Sequence, residues 1–175
     1  MCYKARTKIP KTNARFLQKI AYTNIGTTPD TPRNTASVMG NKLNNGKRRS
    51  AREHARKEVP YNGDPQNNEE WCHLLAASLG GATVPKNLVA ASYSANTFML
   101  VIESLIRGNS NVQVEVEAHC SRQHVAEWIV YKVRSKKDRR SNIQFNIDAK
   151  CTDFTATDGS IVGNYMGYWL SGIEE

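Results

Sequence analysis

The sequence predicts an α+β domain, an antiparallel sheet with helices, led by a basic part that is mainly helical and irregular. Three observations carry this reading. One apolar stripe recurs at helical spacing over residues 94–107, three later segments alternate apolar with polar residues, and the first 60 residues combine turn formers with an excess of positive charge. A chain of 175 residues with 39% hydrophobic content suits one domain with a sizeable core. The expected division is a basic N-terminal extension over residues 1–60, packed on a core domain over residues 61–175.

The helix over 94–107 rests on Phe98, Val101, Ile102, Leu105 and Ile106, spaced by three and four, with Gly108 as its stop. The chain then changes period. Val112, Val114, Val116 and Ala118 alternate with Gln113, Glu115, Glu117 and His119 in a half-buried strand. Residues 128–133 form a second strand, and Ile143, Phe145 and Ile147 mark a third. The charged connection over 135–142 is short, which implies an antiparallel meander. The tail over 158–169 adds an edge strand or simply packs.

The front of the chain reads differently. Phe16, Leu17, Ile20 and Ala21 lie on one helical face, so residues 14–22 are expected to be helical. Residues 27–33 contain Pro29 and Pro32 and form a loop, and 41–46 and 61–68 are turn chemistry. Ser50 with Glu53 makes a capping box for a short helix that ends before Pro60 and carries Arg52, His54 and Arg56.

Charge is distributed unevenly. The net charge is +8, with 14 Lys and Arg against 3 Asp and Glu in residues 1–60, and 10 against 13 in the remainder. A basic front on a slightly acidic body suits a polyanion partner, centred on Lys47, Arg48, Arg49, Arg52, Arg56 and Lys57; a solvated charged face is the plainer alternative. No apolar run approaches the roughly 20 residues that span a bilayer, and no apolar segment follows the basic N-terminus as in a signal peptide. The expected location is therefore the cytoplasm, and if the protein leaves its cell another route or a larger parent chain must carry it. Cys2, Cys72, Cys120 and Cys151 have no metal-ligand spacing, which leaves scattered thiols or one disulfide.

The chemistry concentrates between His73 and Glu103. Phosphodiester hydrolysis needs a base to activate water and a loosely held cation to neutralise phosphate charge. A neutral imidazole serves as base near neutral pH, and Mg²⁺ needs few protein ligands because it keeps most of its waters. An Asn near a helix start and a Glu seven residues later present both groups to one side.

This segment resembles the non-specific DNA/RNA endonucleases of the ββα-metal (His-Me finger) type, including nuclease toxin domains of bacterial effectors. The family's Asp-Arg-Gly-His motif stands here as Glu70-Trp71-Cys72-His73, and its Asn-hydrophobic block as Asn87-Leu88-Val89-Ala90-Ala91. Its second Asn is Asn96, and its Leu-Glu pair is Ile102-Glu103. The run His-Leu-x-Ala-x-x-x-Gly-Gly, followed by Asn-Leu-Val, matches the toxin relatives more closely. The resemblance covers residues 69–107 and implies a ββα-metal core that cuts DNA, RNA or both without sequence selectivity.

Carried over by position, His73 is the general base, Asn96 the metal ligand and Glu103 the residue that orders water around the cation, with Mg²⁺ expected. Asn87 braces the loop or touches substrate. A toxin of this kind implies a cognate acidic immunity protein. The family's Arg and Gly are replaced by Trp71 and Cys72, and its Pro-Gln by Ala90-Ala91, so phosphate contact falls to Arg48, Arg49, Arg52, Arg56 or Arg107, or the chain binds without cutting. Two further arrangements of residues could carry chemistry. His119 and His124 with a lysine would cleave RNA without metal, and Cys72 beside His73 would supply a thiol nucleophile.

Overall fold

A computed structural model of the chain describes residues 3–4, 14–26, 69–82, 84–122 and 124–174. The basic cluster from Lys47 to Lys57, the capped helix after Ser50 and the expected turns over 27–33, 41–46 and 61–68 lie outside the described residues. The described part is a mixed α/β arrangement, a curled and mostly antiparallel seven-stranded sheet with two helices.

The strands are β1 (Tyr3–Lys4), β2 (Phe16–Asn24), β3 (Glu69–His73), β4 (Leu88–Ser92), β5 (Val112–Arg122), β6 (Val125–Ser135) and β7 (Asn142–Asp148). Helix α1 (Tyr93–Ile106) follows β4 directly, and α2 (Ala156–Glu174) closes the chain. Strands β5, β6 and β7 form the meander, with Val116 opposite Tyr131 and Tyr131 opposite Phe145. β5 occupies one edge of β6. The other edge is shared, with β7 on residues 128–134 and β4 running parallel at the single pair Ala90 and Val125. The Ser92 N–H donates to the Ala149 carbonyl at 2.7 Å and so joins the end of β4 to the end of β7. β3 lies outside β4, β1 outside β7, and β2 outside β5.

Alternation along the meander separates two faces. Val114, Val116, Ile129, Tyr131, Val133, Ile143, Phe145 and Ile147 point into the core. There they meet Ala95, Phe98, Met99, Ile102 and Ile106 of α1 and Val162 and Met166 of α2. The opposite face carries an ion lattice, in which Lys19 lies 2.6 Å from Glu115 and 2.8 Å from Glu117, and Lys132 2.7 Å from Glu115.

One expectation is corrected. Residues 16–24 are a strand, not a helix, paired along β5 from Phe16 opposite Cys120 to Asn24 opposite Gln113. The helical stripe misleads because Phe16 and Leu17 stay exposed, while Ile20 packs inward and a register shift between Ile20 and Thr23 erases the period of two. The tail is not an edge strand; it packs on the core, the other outcome expected of it, and does so as a 19-residue helix. Thr155 and Asp158 cap its start reciprocally: the Asp158 carboxylate accepts from the Thr155 N–H at 2.9 Å, and the Asp158 N–H donates to the Thr155 hydroxyl at 3.2 Å.

Helix α1 begins at Tyr93 because the Ser92 hydroxyl accepts from the Ala95 N–H at 3.0 Å, and it ends at Gly108, whose φ is +80°. Cys72 and Cys120 are buried free thiols, whereas Cys151 is in a disulfide, so the cysteines follow both readings in part. Among the described residues no helix is long and apolar enough to cross a membrane.

Candidate active site

Strand β3, a 14-residue connection, β4 and α1 follow one another as β–β–α, with Cys72 opposite Val89 and His73 opposite Leu88. The connection is built from the residues that make its sequence distinctive. Leu74 and Leu79 are fully buried anchors. Gly80 takes φ +90°, a conformation that glycine adopts without a Cβ clash. A Cβ on Gly81 would lie 1.9 Å from the Leu75 carbonyl oxygen, so only glycine fits there.

Asn87 ties the connection together. Its Oδ1 accepts from the Leu75 N–H at 2.9 Å, and its Nδ2 donates to the Leu75 carbonyl at 2.9 Å and the Ala82 carbonyl at 2.8 Å. Both amide protons are thus spent on backbone inside a buried loop, which makes Asn87 a brace.

His73 is half-buried at the end of β3. Cys72, Val89 and Ala91 point into the core that α1 covers, while Trp71 packs on Ala90 and Val125 on the other face of the hairpin. Alternation therefore places the His73 side chain on Trp71's face and the Cys72 thiol on the opposite one. That geometry removes the thiol–imidazole pair. It also makes Trp71, at the position of the family's arginine, a packing residue.

Asn96 and Glu103 sit on α1 seven residues apart, about 20° from eclipsed at 3.6 residues per turn. With the cap taken by Ser92, the Asn96 side chain is not the helix cap. Glu103 is only 7% exposed, its side chain has no hydrogen bond or ion pair among the described residues, and burial pushes its carboxyl up to about 8. The Tyr131 hydroxyl is buried with no hydrogen-bond partner among the described residues, and burial, more than the Glu103 charge, raises its pKa.

The structure thus brings Asn96 and Glu103 to one helix face, and it sets His73 on the other face of the hairpin from Glu103's core. Among the described residues no group of three His, Cys, Asp or Glu is assembled to hold a metal. Asn96 and Glu103 carry oxygen donors of the kind a hard cation takes, and a cation beside Glu103 would favour the ionised form that burial opposes. Of the candidate phosphate arginines, Arg107 alone is described. It is exposed at the end of α1, with its N–H on the Glu103 carbonyl at 3.0 Å.

The remaining histidines hold separate positions. His124, at φ +63° in the turn between β5 and β6, places its ring Nδ1 3.1 Å from the Leu88 carbonyl, and its own carbonyl accepts from the Ala90 N–H at 2.7 Å. It clamps β4 from the side opposite β3. His119 stands on the outer sheet face, its Nε2 3.8 Å from Glu117, and burial lowers its pKa against the opposing pull of that carboxylate. No hydrogen bond joins the two rings among the described residues.

Comparison with protein-family models, curated proteins and solved structures gives no match to this chain.

Proposed function

We propose that the chain is a metal-dependent, non-specific endonuclease that hydrolyses phosphodiester bonds in DNA, RNA or both. We further propose that it acts as a bacterial effector toxin delivered into a target cell. The observation that carries this reading is Glu103: a buried, unpartnered carboxyl aligned with Asn96 on α1, in a β–β–α segment whose motif residues resemble those nucleases.

In this mechanism His73 takes the proton of the attacking water, and Asn87 keeps its strand end in place through the braced loop. Asn96 would offer a carbonyl oxygen to a divalent cation, and Glu103 would order the waters around it. Such an ion, Mg²⁺ by its preference for oxygen donors, would supply positive charge to the phosphate oxygens. Arg107 and the basic cluster Lys47, Arg48, Arg49, Arg52, Arg56 and Lys57 grip phosphates without reading bases. An acidic immunity protein that covers the basic surface is the partner this role requires in a producing cell.

One observation favours a second reading, a nucleic-acid-binding or interaction domain on a degenerate nuclease fold. His73 and Glu103 face opposite sides of the hairpin, and the motif arginine is the packed Trp71. Incubating the purified chain with plasmid and with total RNA, in Mg²⁺ and in EDTA, separates the readings. Cleavage in Mg²⁺ alone supports the nuclease, and binding without cleavage supports the degenerate domain. RNA cleavage that persists in EDTA and disappears in His119→Ala would identify a metal-independent ribonuclease.

A further inference from the structure

We propose that the tip of the β6–β7 hairpin, through Lys136, Arg139 and Arg140, grips the sugar–phosphate backbone of a nucleic acid. The inference rests on the nucleic-acid reading above and adds to it a binding element outside both the β–β–α segment and the basic front of the chain.

Charge marks this tip first. Residues 61–175 hold 10 Lys and Arg against 13 Asp and Glu, yet four of those ten cations, Lys136, Lys137, Arg139 and Arg140, fall within five consecutive residues. All four are exposed. Lys136, Arg139 and Arg140 have no ion pair among the described residues. Other cations of the sheet are already engaged: Lys132 lies 2.7 Å from Glu115, Lys150 is paired with Glu127, and Arg134 stands over the Tyr22 ring at 3.6 Å. Concentrated positive charge that an acidic body leaves unneutralised attracts a polyanion.

The backbone beneath these cations is held in place. The Ser135 hydroxyl accepts from the Lys137 and Asp138 N–H groups, each at 3.2 Å, and the Asp138 carboxylate accepts from the Arg140 N–H at 2.9 Å. The Ser141 N–H donates to the Asp138 carbonyl at 3.0 Å. The one acid of the tip is thus turned to backbone. Two outside contacts fix the tip on the fold: the Lys136 N–H donates to the Asn111 carbonyl at 2.8 Å, and the Trp169 indole N–H of α2 to the Ser141 hydroxyl at 3.2 Å. Asn111 follows the exposed Arg107 around Gly108, so Arg107 belongs to the same end of the domain. A basic loop already ordered loses little entropy on binding, and Lys and Arg on phosphate fix a duplex without reading its sequence.

The test measures binding of the full chain in EDTA, by fluorescence anisotropy over a range of salt, to a short DNA duplex, a single-stranded RNA and polyglutamate. Arg139→Gln/Arg140→Gln is expected to melt at the wild-type temperature and to lower the slope of log affinity against log salt on DNA by about 1.5–2, since each phosphate contact contributes about 0.9. Lys136→Gln, on the other side of the turn, should lower it by about 1 alone. Lys150→Gln, which removes a cation already paired with Glu127, should leave it unchanged. Wild-type slopes in both tip variants overturn the proposal, as does an equal fall in Lys150→Gln, which would mean that net charge alone counts. Tighter binding of polyglutamate than of either nucleic acid also overturns it and makes the tip a dock for an acidic protein. A wild-type chain that binds nucleic acid with a slope the tip variants share sinks this inference alone. One that binds neither DNA nor RNA sinks it together with the nucleic-acid reading.

Discussion

Glu103→Gln removes the one carboxyl that the core holds without a partner among the described residues, and its effect should depend steeply on pH. Burial raises the Glu103 pKa from 4.5 to about 8. The sign follows from proton counts. Between these values the folded chain keeps the proton and the unfolded chain releases it, so stability falls as pH rises through this window and levels off above the folded pKa. At 1.36 kcal/mol per pKa unit the full penalty is about 4–5 kcal/mol, of which about 3 kcal/mol is present at neutral pH. Gln cannot ionise and has nearly the same shape. The stability of Glu103→Gln relative to wild type should therefore climb by about 3 kcal/mol between about pH 5 and pH 8 in EDTA. Urea unfolding at each pH measures this directly, through midpoints at constant slope. A difference that stays flat across the window would show that Glu103 is solvated or paired, and the metal argument built on its isolation would fall with it. Saturating Mg²⁺ should shrink the wild-type penalty and leave the variant unmoved.

Asn87→Ala strips the connection between β3 and β4 of three hydrogen bonds and orphans Leu75 and Ala82 backbone groups, a loss of about 2–4 kcal/mol by urea unfolding. Ser92→Ala removes the cap of α1 and should cost about 1 kcal/mol, measured the same way. In nuclease assays His73→Ala should abolish turnover while DNA binding by gel shift stays within a few-fold. A variant that cuts normally would remove His73 from the mechanism.

Much of the fold was legible because its elements carry their periods on the surface of the sequence. α1 shows apolar residues at spacings of three and four, β5 alternates over residues 112–118 and β7 over residues 143–147, and β6 stands out as an apolar run over residues 128–131. β2 was not legible, because a register shift inside the strand breaks its alternation and leaves a pattern that a helix would also produce. α2 was hidden by Gly159, Gly163, Gly167 and Gly172, residues that depress helix propensity, and by the exposed Ile161, Tyr165 and Tyr168, which blur its buried stripe of Val162, Met166 and Ile173. Packing does not demand these glycines, since a Cβ at Gly159 would meet Val101 of α1 at an ordinary 3.7 Å and one at Gly163, Gly167 or Gly172 would meet nothing within 4 Å. The Thr155 and Asp158 pair was a usable start signal for that helix. Within the site, Asn87 and the two glycines could be read locally, whereas the burial of Glu103 follows only from how α1 packs on the core.

The motif residues divide by what their chemistry costs the fold. Leu74, Leu79, Gly80, Gly81 and Asn87 are accounted for by building the connection, and a chain without catalytic activity would still need them. Glu103 is different. At neutral pH its burial withholds about 3 kcal/mol from a domain whose net stability is on the order of 5–15 kcal/mol. A purely structural domain would gain by placing Leu or Met there, beside Ile102 and Ile106 in an apolar core. An expensive, unpartnered carboxyl on the same helix face as Asn96 therefore speaks for a charged ligand and against the degenerate reading. If Glu103→Leu raises the melting temperature in EDTA and also ends cleavage, stability and activity are opposed at this one position. If the same variant keeps cutting, the carboxyl is a burden without a function, and the binding-domain reading gains.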